Sequence, residues 1–238
     1  MPRVTLGYAV IGYIYMSTRT ISFSEGEFYH VYNRGTDKRT IYESDPDYKR
    51  FQELLFLSNT ADSISVRNLK RKYKTIYEHS QGNHLVSVGA YCLMPNHFHI
   101  LLTPLVEGGV SLFMNKLTTG YSMYFNQKYQ RSGRLFEGSF KAKHVSEDVY
   151  LKYLFAYIHL NPVKLIDKHW KEEGIKNPEE AYEYVASYKY SSLSDFLDTE
   201  REEEVVLSKD RFPDYFSKKE TQKQELLEWL EYDKLDQG

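Results

Sequence analysis

Between positions 91 and 104 the chain reads YCLMPNHFHILLTP, and this string restricts the fold more than any other. Apolar residues run up to Met94, break around Pro95-Asn96 and resume at His97, the pattern of two strands joined by a short turn. Strands are expected from His84 to Leu93 and from His97 to Thr103. Alternate side chains on a strand point to one face. His97 and His99 therefore project together, and Phe98, Ile100 and Leu102 face the opposite way, towards a core. Strand rise puts the two imidazoles about 7 Å apart, close enough to meet one metal ion. The same pair equally fits two hydrogen-bonded histidines on an open sheet face, and the dyad alone does not choose.

A partner for the pair is offered by SEDVYLKYLFAYIHLNPVK at 146–164. Ser146 is the expected N-cap, and Glu147 and Asp148 suit the positive end of a helix. Leu151, Leu154, Phe155 and Ile158 recur at helical spacing and make an apolar stripe. Tyr150, Tyr153, Tyr157, Asn161 and Lys164 make a second stripe, rotated about 100° from the first. Tyr157 and Asn161 are one turn apart and share a face. Pro162 is expected to end the regular helix near Asn161. A cation held by imidazoles and an amide oxygen polarises a phosphodiester, and a phenol can attack phosphorus as a nucleophile. With 22 tyrosines in the chain, Tyr157 is also readable as an ordinary surface tyrosine.

Taken together, these strings resemble a known family. YCLMPNHFHILLTP resembles the metal-binding strand of single-tyrosine HUH transposases, in which two histidines flank a hydrophobic residue. YIHLNPVK at 157–164 resembles their nucleophile helix, closest to the branch of REP-associated tyrosine transposases. FYHVYNRGTDKRTIY at 28–42 is similar to the family's first strand and turn. GRLFEGSFKAKHV at 133–145 is similar to its basic hairpin, and SYKYSSL at 187–193 to a motif that follows the catalytic domain.

The resemblance implies that His97 and His99 bind a divalent ion, Mg²⁺ or Mn²⁺. It implies that Asn161 is the third ligand, at a position where the family often has Gln, and that Tyr157 is the nucleophile. The implied reaction is cleavage and rejoining of hairpin-containing single-stranded DNA, from palindromic repeats, through a 5′-phosphotyrosine. No ATP is required, and the chain has no Walker-type phosphate loop. The implied partner is a DNA hairpin, with the protein acting as a monomer or a homodimer.

Charge is divided along the chain. Residues 1–166 hold 20 Lys+Arg against 13 Asp+Glu, and residues 167–238 hold 11 against 20, so a part at +7 precedes a part at −9. The basic part suits phosphate binding. Arg34, Lys38 and Arg39 after the first strand, and Arg134, Lys141 and Lys143 in the basic hairpin, are the candidate DNA contacts. Lys141 and Lys143 share a strand face. Phe136 and Phe140, interleaved with these cations, read as core residues. RNLKRKYK at 67–74 fits either a DNA-contacting patch or a solvated helix face. The single cysteine, Cys92, cannot form an internal disulfide, which points to a reducing, intracellular setting; the resemblance implies a cytoplasmic, nucleoid-associated protein. The apolar stretch at 4–16 is too short to span a bilayer, and Met16 reads as the natural start of the chain.

Helices are expected from Pro46 to Asn59, from Val110 to Gln130 and at the 146–161 stripe, and an extended run from Arg134 to His144. With a first strand from Phe28 to Asn33, the order is β-α-β-β-α-β-α. That order predicts an α+β fold: a ferredoxin-like, split-βαβ antiparallel sheet with helices on one face. A helical acidic C-terminal tail is expected to follow, with helices starting at Asn177-Pro178 and spanning Thr221 to Leu235. The organisation expected is an N-terminal extension (1–26), a catalytic domain (27–166) and the acidic extension (167–238).

Overall fold

The computed structural model describes residues 21–197, 199–215 and 223–228. The apolar stretch at 4–16, the Met16 start and the 221–235 helix, except helical residues 223–228, lie outside the described residues.

β1 (Phe28–Arg34) leads through a loop to α1 (Asp45–Leu57). At the start of α1 the Ser44 backbone N–H donates to Asp47 Oδ2 at 3.0 Å, and Pro46 occupies the first turn, a favourable N-terminal arrangement. α2 (Val66–Lys72) carries most of the basic 67–74 run and has no buried residue. β2 (Val86–Met94) and β3 (His97–Pro104) form the expected hairpin across Pro95-Asn96. α3 (Gly109–Lys128) follows, then β4 (Lys141–Val145) and α4 (Asp148–Leu160), which continues as a 3-10 turn over Asn161–Leu165. α5 (Trp170–Glu173), α6 (Pro178–Ser187) and α7 (Leu193–Phe196) belong to the acidic part.

The sheet is antiparallel with order β2-β3-β1-β4, which is the split-βαβ arrangement. α1 and α3 cover one face. Phe51, Leu55, Phe113, Leu117 and Tyr121 pack there against Val31, Phe98, Ile100 and Leu102. Each such side chain contributes about 1.5–3 kcal/mol through removal from water. α4 lies on the opposite face, where Leu151, Leu154, Phe155 and Ile158 meet Ala90, Cys92, Met94 and Leu101. The acidic part is not merely a solvated appendage, because its Val185, Leu193 and Phe212 complete this second core.

Two expectations are corrected in detail, and β2 adds an irregularity. The 134–144 run is a strand only at Lys141–Val145; Gly133 and Gly138 have φ of 85° and 143°, left-handed values that bend the chain. Glu147, not Ser146, is the N-cap of α4, and it makes no side-chain cap bond. Alternation in β2 slips at a bulge between Val88 and Ala90, so Val88 and Tyr91 share the first core. At the bulge the Phe212 ring fills the space of a Gly89 side chain; a Cβ there would sit 2.6–2.8 Å from ring atoms.

The outer edge of β2 is occupied by the acidic part. The Leu93 N–H donates to Tyr190 O, Ser192 N–H to Tyr91 O and Ser208 N–H to Val88 O, at 3.0, 2.9 and 2.9 Å. The Ser192 hydroxyl, in turn, lies 2.8 Å from His159 Nε2 on α4. Arg201 is paired with the fully buried Asp195 carboxylate and donates to Tyr91 Oη at 3.0 Å. Cys92 is buried, and burial pushes its thiol pKa up. Among the described residues no helix is long and apolar enough to cross a membrane.

Candidate active site

The register sets which side chains meet. Tyr32 is opposite His99, and Arg34 is opposite His97 on β3; on the other side of β1, Tyr32 pairs with Lys141 and His30 with Lys143. Residues of one parity on these strands face α4. The result is a cleft of about 320 Å³ lined by Tyr32, Asn33, Arg34, Asn96, His97, His99, Glu137, Lys141 and Tyr157.

His97 is held by the hairpin turn. Its Nδ1 lies 2.6 Å from Asn96 Oδ1, and Asn96 Nδ2 donates to the Lys38 carbonyl at 3.1 Å. With the amide so oriented, its oxygen accepts from His97 Nδ1–H, and the lone pair of the neutral ring is on Nε2. Burial lowers the His97 pKa to about 4, helped by Lys164 and Arg34 and opposed by Asn161. The imidazole is therefore neutral at physiological pH, the form a metal needs.

His99 is buried and meets a partner that the strand pattern did not single out. His99 Nδ1 and His30 Nε2 are 2.8 Å apart. His30 is itself buried, and its pKa is lowered to about 4 by burial and by Lys143. In the tautomer in which His99 Nδ1–H donates to His30, Nε2 is the acceptor atom of the His99 ring. That is the way protein ligands are commonly oriented by a neighbour.

α4 delivers the other two candidates. The Tyr157 ring lies 5.5 Å from the His99 ring and 6.2 Å from the His30 ring, both edge-on. Asn161, one turn on and 1% exposed, donates from Nδ2 to the Tyr157 carbonyl at 3.0 Å. Its Oδ1 is buried and lacks a well-formed hydrogen bond among the described residues, although it approaches His97 closely enough to oppose the fall of that pKa. A buried, unpartnered amide oxygen costs free energy unless a donor or cation meets it. The His97 and His99 imidazoles and this oxygen are donor types that a divalent ion accepts. Among the described residues no group of three or more His, Cys, Asp or Glu forms a metal cluster, so the protein donor set is sparse and leaves room for phosphate oxygens.

The six candidate DNA contacts divide. Arg34 and Lys141 line the cleft. The Arg34 guanidinium is engaged by Glu137, with Nε and Nη2 donating to its two carboxylate oxygens at 2.9 and 3.1 Å. Glu137 was not singled out from the sequence; its place after Phe136 in the basic hairpin was the available signal. Lys143 sits over the Tyr150 ring, 4.3 Å from its centroid. Lys38 is exposed at the hairpin turn. The Arg39 side chain turns away from the cleft, donating to the Thr36 carbonyl at 2.9 Å and lining a separate hollow with Tyr129 and Arg131. Arg134 is exposed and is not among the cleft residues. Phe136 is a core residue, whereas Phe140 is partly buried against that core.

No curated protein matches the chain. One solved structure that it is similar to is a REP-associated tyrosine transposase bound to a REP hairpin, with 14% identity and a TM-score of 0.47 over 76% of this chain and 86% of that one. Residues 48–161, which hold the β2–β3 hairpin with its His pair and all of α4, match the family described as IS200-like transposase. That segment, just under half of the chain, is what the chain shares with the IS200-like transposase family.

Proposed function

We propose that this chain is a metal-dependent DNA nickase and strand transferase acting on hairpin-containing single-stranded DNA, with Tyr157 as nucleophile and His97, His99 and Asn161 as metal ligands. The observation that carries the reading is the meeting of Tyr157 with the His pair in one cleft, from elements 58 residues or more apart in sequence. The match of residues 48–161 to IS200-like transposases supports a transposase; the sequence blocks that resemble REP-associated transposases support a hairpin as substrate.

In this reading His97, His99 and Asn161 would hold Mg²⁺ or Mn²⁺, which would supply charge neutralisation at the scissile phosphate. Lys141 and Arg34 hold flanking phosphates by charge, Arg34 exchanging Glu137 for DNA. The Tyr157 oxygen attacks phosphorus, its proton leaves, and the P–O3′ bond breaks. The products are a 5′-phosphotyrosine and a 3′-hydroxyl that takes up a proton. The ester bond energy is kept, so a 3′-hydroxyl can reverse the step. Asn96 and His30 keep the two imidazoles in their ligand tautomers. In this reading the groups act in cis, and the chain works as a monomer or a homodimer.

The test is a labelled hairpin with unpaired flanks, incubated with protein and Mn²⁺ and run on a denaturing gel. A covalent protein–DNA band that requires metal and is lost in Tyr157→Phe is the expected result, with hairpin affinity changed less than about twofold, since only the attacking oxygen is removed. Binding without any band across several flanking hairpins would refute cleavage and leave a hairpin-binding protein.

A further inference from the structure

α4 carries more aromatic surface towards β4 than a single nucleophile needs. Tyr150, Tyr153 and Tyr157 lie at i, i+3 and i+7, hence on one flank. Their rings form a row with centroids 5.9 and 6.0 Å apart, and adjacent planes are inclined by 29°. A cation stands at each end: Lys143 Nζ is 4.3 Å from the Tyr150 centroid, and Lys164 Nζ is 5.9 Å from that of Tyr157. Lys141, two residues before Lys143 on the same strand face, joins Tyr157 in the cleft. The apolar stripe of α4 is buried against the sheet, whereas the three tyrosines are only half-buried. Tyr150 and Tyr157 also pack partly against that core, but packing alone does not call for three aligned rings flanked by ammonium groups.

We propose that this row is a binding track for the unpaired nucleotides next to the bond cut at Tyr157. The proposal rests on the DNA-cleaving reading above and adds to it a site for the flanking strand. Aromatic faces accept any base by stacking, and lysines beside them take the phosphates. The row spans seven residues of helix, about 10 Å, the length of about three bases at duplex spacing. Its Tyr157 end opens into the cleft, so a strand lying on it enters the site directly. The hairpin stem, whose bases are already paired, has no such use for the rings.

The test is fluorescence anisotropy in EDTA, so that cleavage plays no part. The probes are a blunt hairpin, the same hairpin with six unpaired nucleotides on either side, and an oligothymidine. Tyr150→Leu and Tyr153→Leu keep apolar bulk and remove the ring; Tyr150→Phe and Tyr153→Phe keep the ring. The flanked hairpin is expected to bind more tightly than the blunt one. Each Leu variant should lose about tenfold for the flanked probe, the change expected for one base–ring stack, and nothing for the blunt one. The Phe variants should bind as the parent does. Equal affinity of the parent for flanked and blunt hairpins, Leu variants unchanged on the flanked probe, or equal losses on both probes would each overturn the track while leaving the nickase reading intact. Absence of binding to all three DNAs would overturn both.

Discussion

Acidification from pH 7 to pH 5 should destabilise this chain through its buried histidines. His30 and His159 are 7% and 1% exposed. Burial is the main cause that lowers their pKa values from 6.5 to about 4 and about 3, with Lys143 adding to the effect at His30 and Arg201 at His159. In the unfolded chain both titrate near 6.5, so below that value the unfolded state binds more protons and stability falls with pH. The loss begins near pH 6.5 and is complete only below the folded values. Keeping one such imidazole neutral at pH 5 costs about 1.5 pH units at 1.36 kcal/mol each, or about 2 kcal/mol. The two together cost about 4 kcal/mol, and His97, lowered to about 4 but partly solvated, adds a smaller share. Against a typical stability of about 5–15 kcal/mol, this is a large fraction. With a urea slope of about 2 kcal/mol/M, the unfolding midpoint measured in the presence of a chelator should fall by about 2 M between pH 7 and pH 5. His159→Phe should remove about half of that difference. A midpoint that is the same at both pH values would refute the reasoning.

Other outcomes can be checked separately. Asn96→Ala removes the acceptor that fixes the His97 tautomer, so Mn²⁺ affinity measured by calorimetry should fall about 10–100-fold; an unchanged affinity would remove Asn96 from the site. Phe212→Ala should cost about 3–5 kcal/mol in urea unfolding, because it empties a space walled by Gly89 and Phe28. Gly89→Ala should also destabilise by itself, and far less in the Phe212→Ala background; strict additivity of the two changes would contradict their contact.

The parts of the fold that the chain announces are those with a strong local period. Alternation from His97 to Leu102 placed Phe98, Ile100 and Leu102 in one core and the two histidines opposite, as observed. The apolar stripe of α4 was equally plain. His30 was not, because its partner His99 is 69 residues away. In FYHVY an isolated histidine has the same period whether it faces water or another imidazole. Only the strand order, which sets β1 beside β3, decides it. The second core was hidden for a related reason. A segment with net charge −9 reads as solvated, and its Val185, Leu193 and Phe212 are too widely spaced to show a period. The slip at Gly89 had one local mark, the glycine itself; the Phe212 ring that fills its side-chain space is over a hundred residues downstream.

The occupied outer side of β2 bears on how copies of this chain meet one another. An open strand edge is a template for sheet extension, strand exchange and aggregation. Here the backbone groups of Val88, Tyr91 and Leu93 are already taken by Ser208, Ser192 and Tyr190 of the same chain. The opposite edge, β4, is five residues long and carries Lys141 and Lys143, charges that disfavour a neighbouring strand. Assembly of this protein by continuous sheets is blocked on one side and discouraged on the other, which leaves contacts between copies to their side chains.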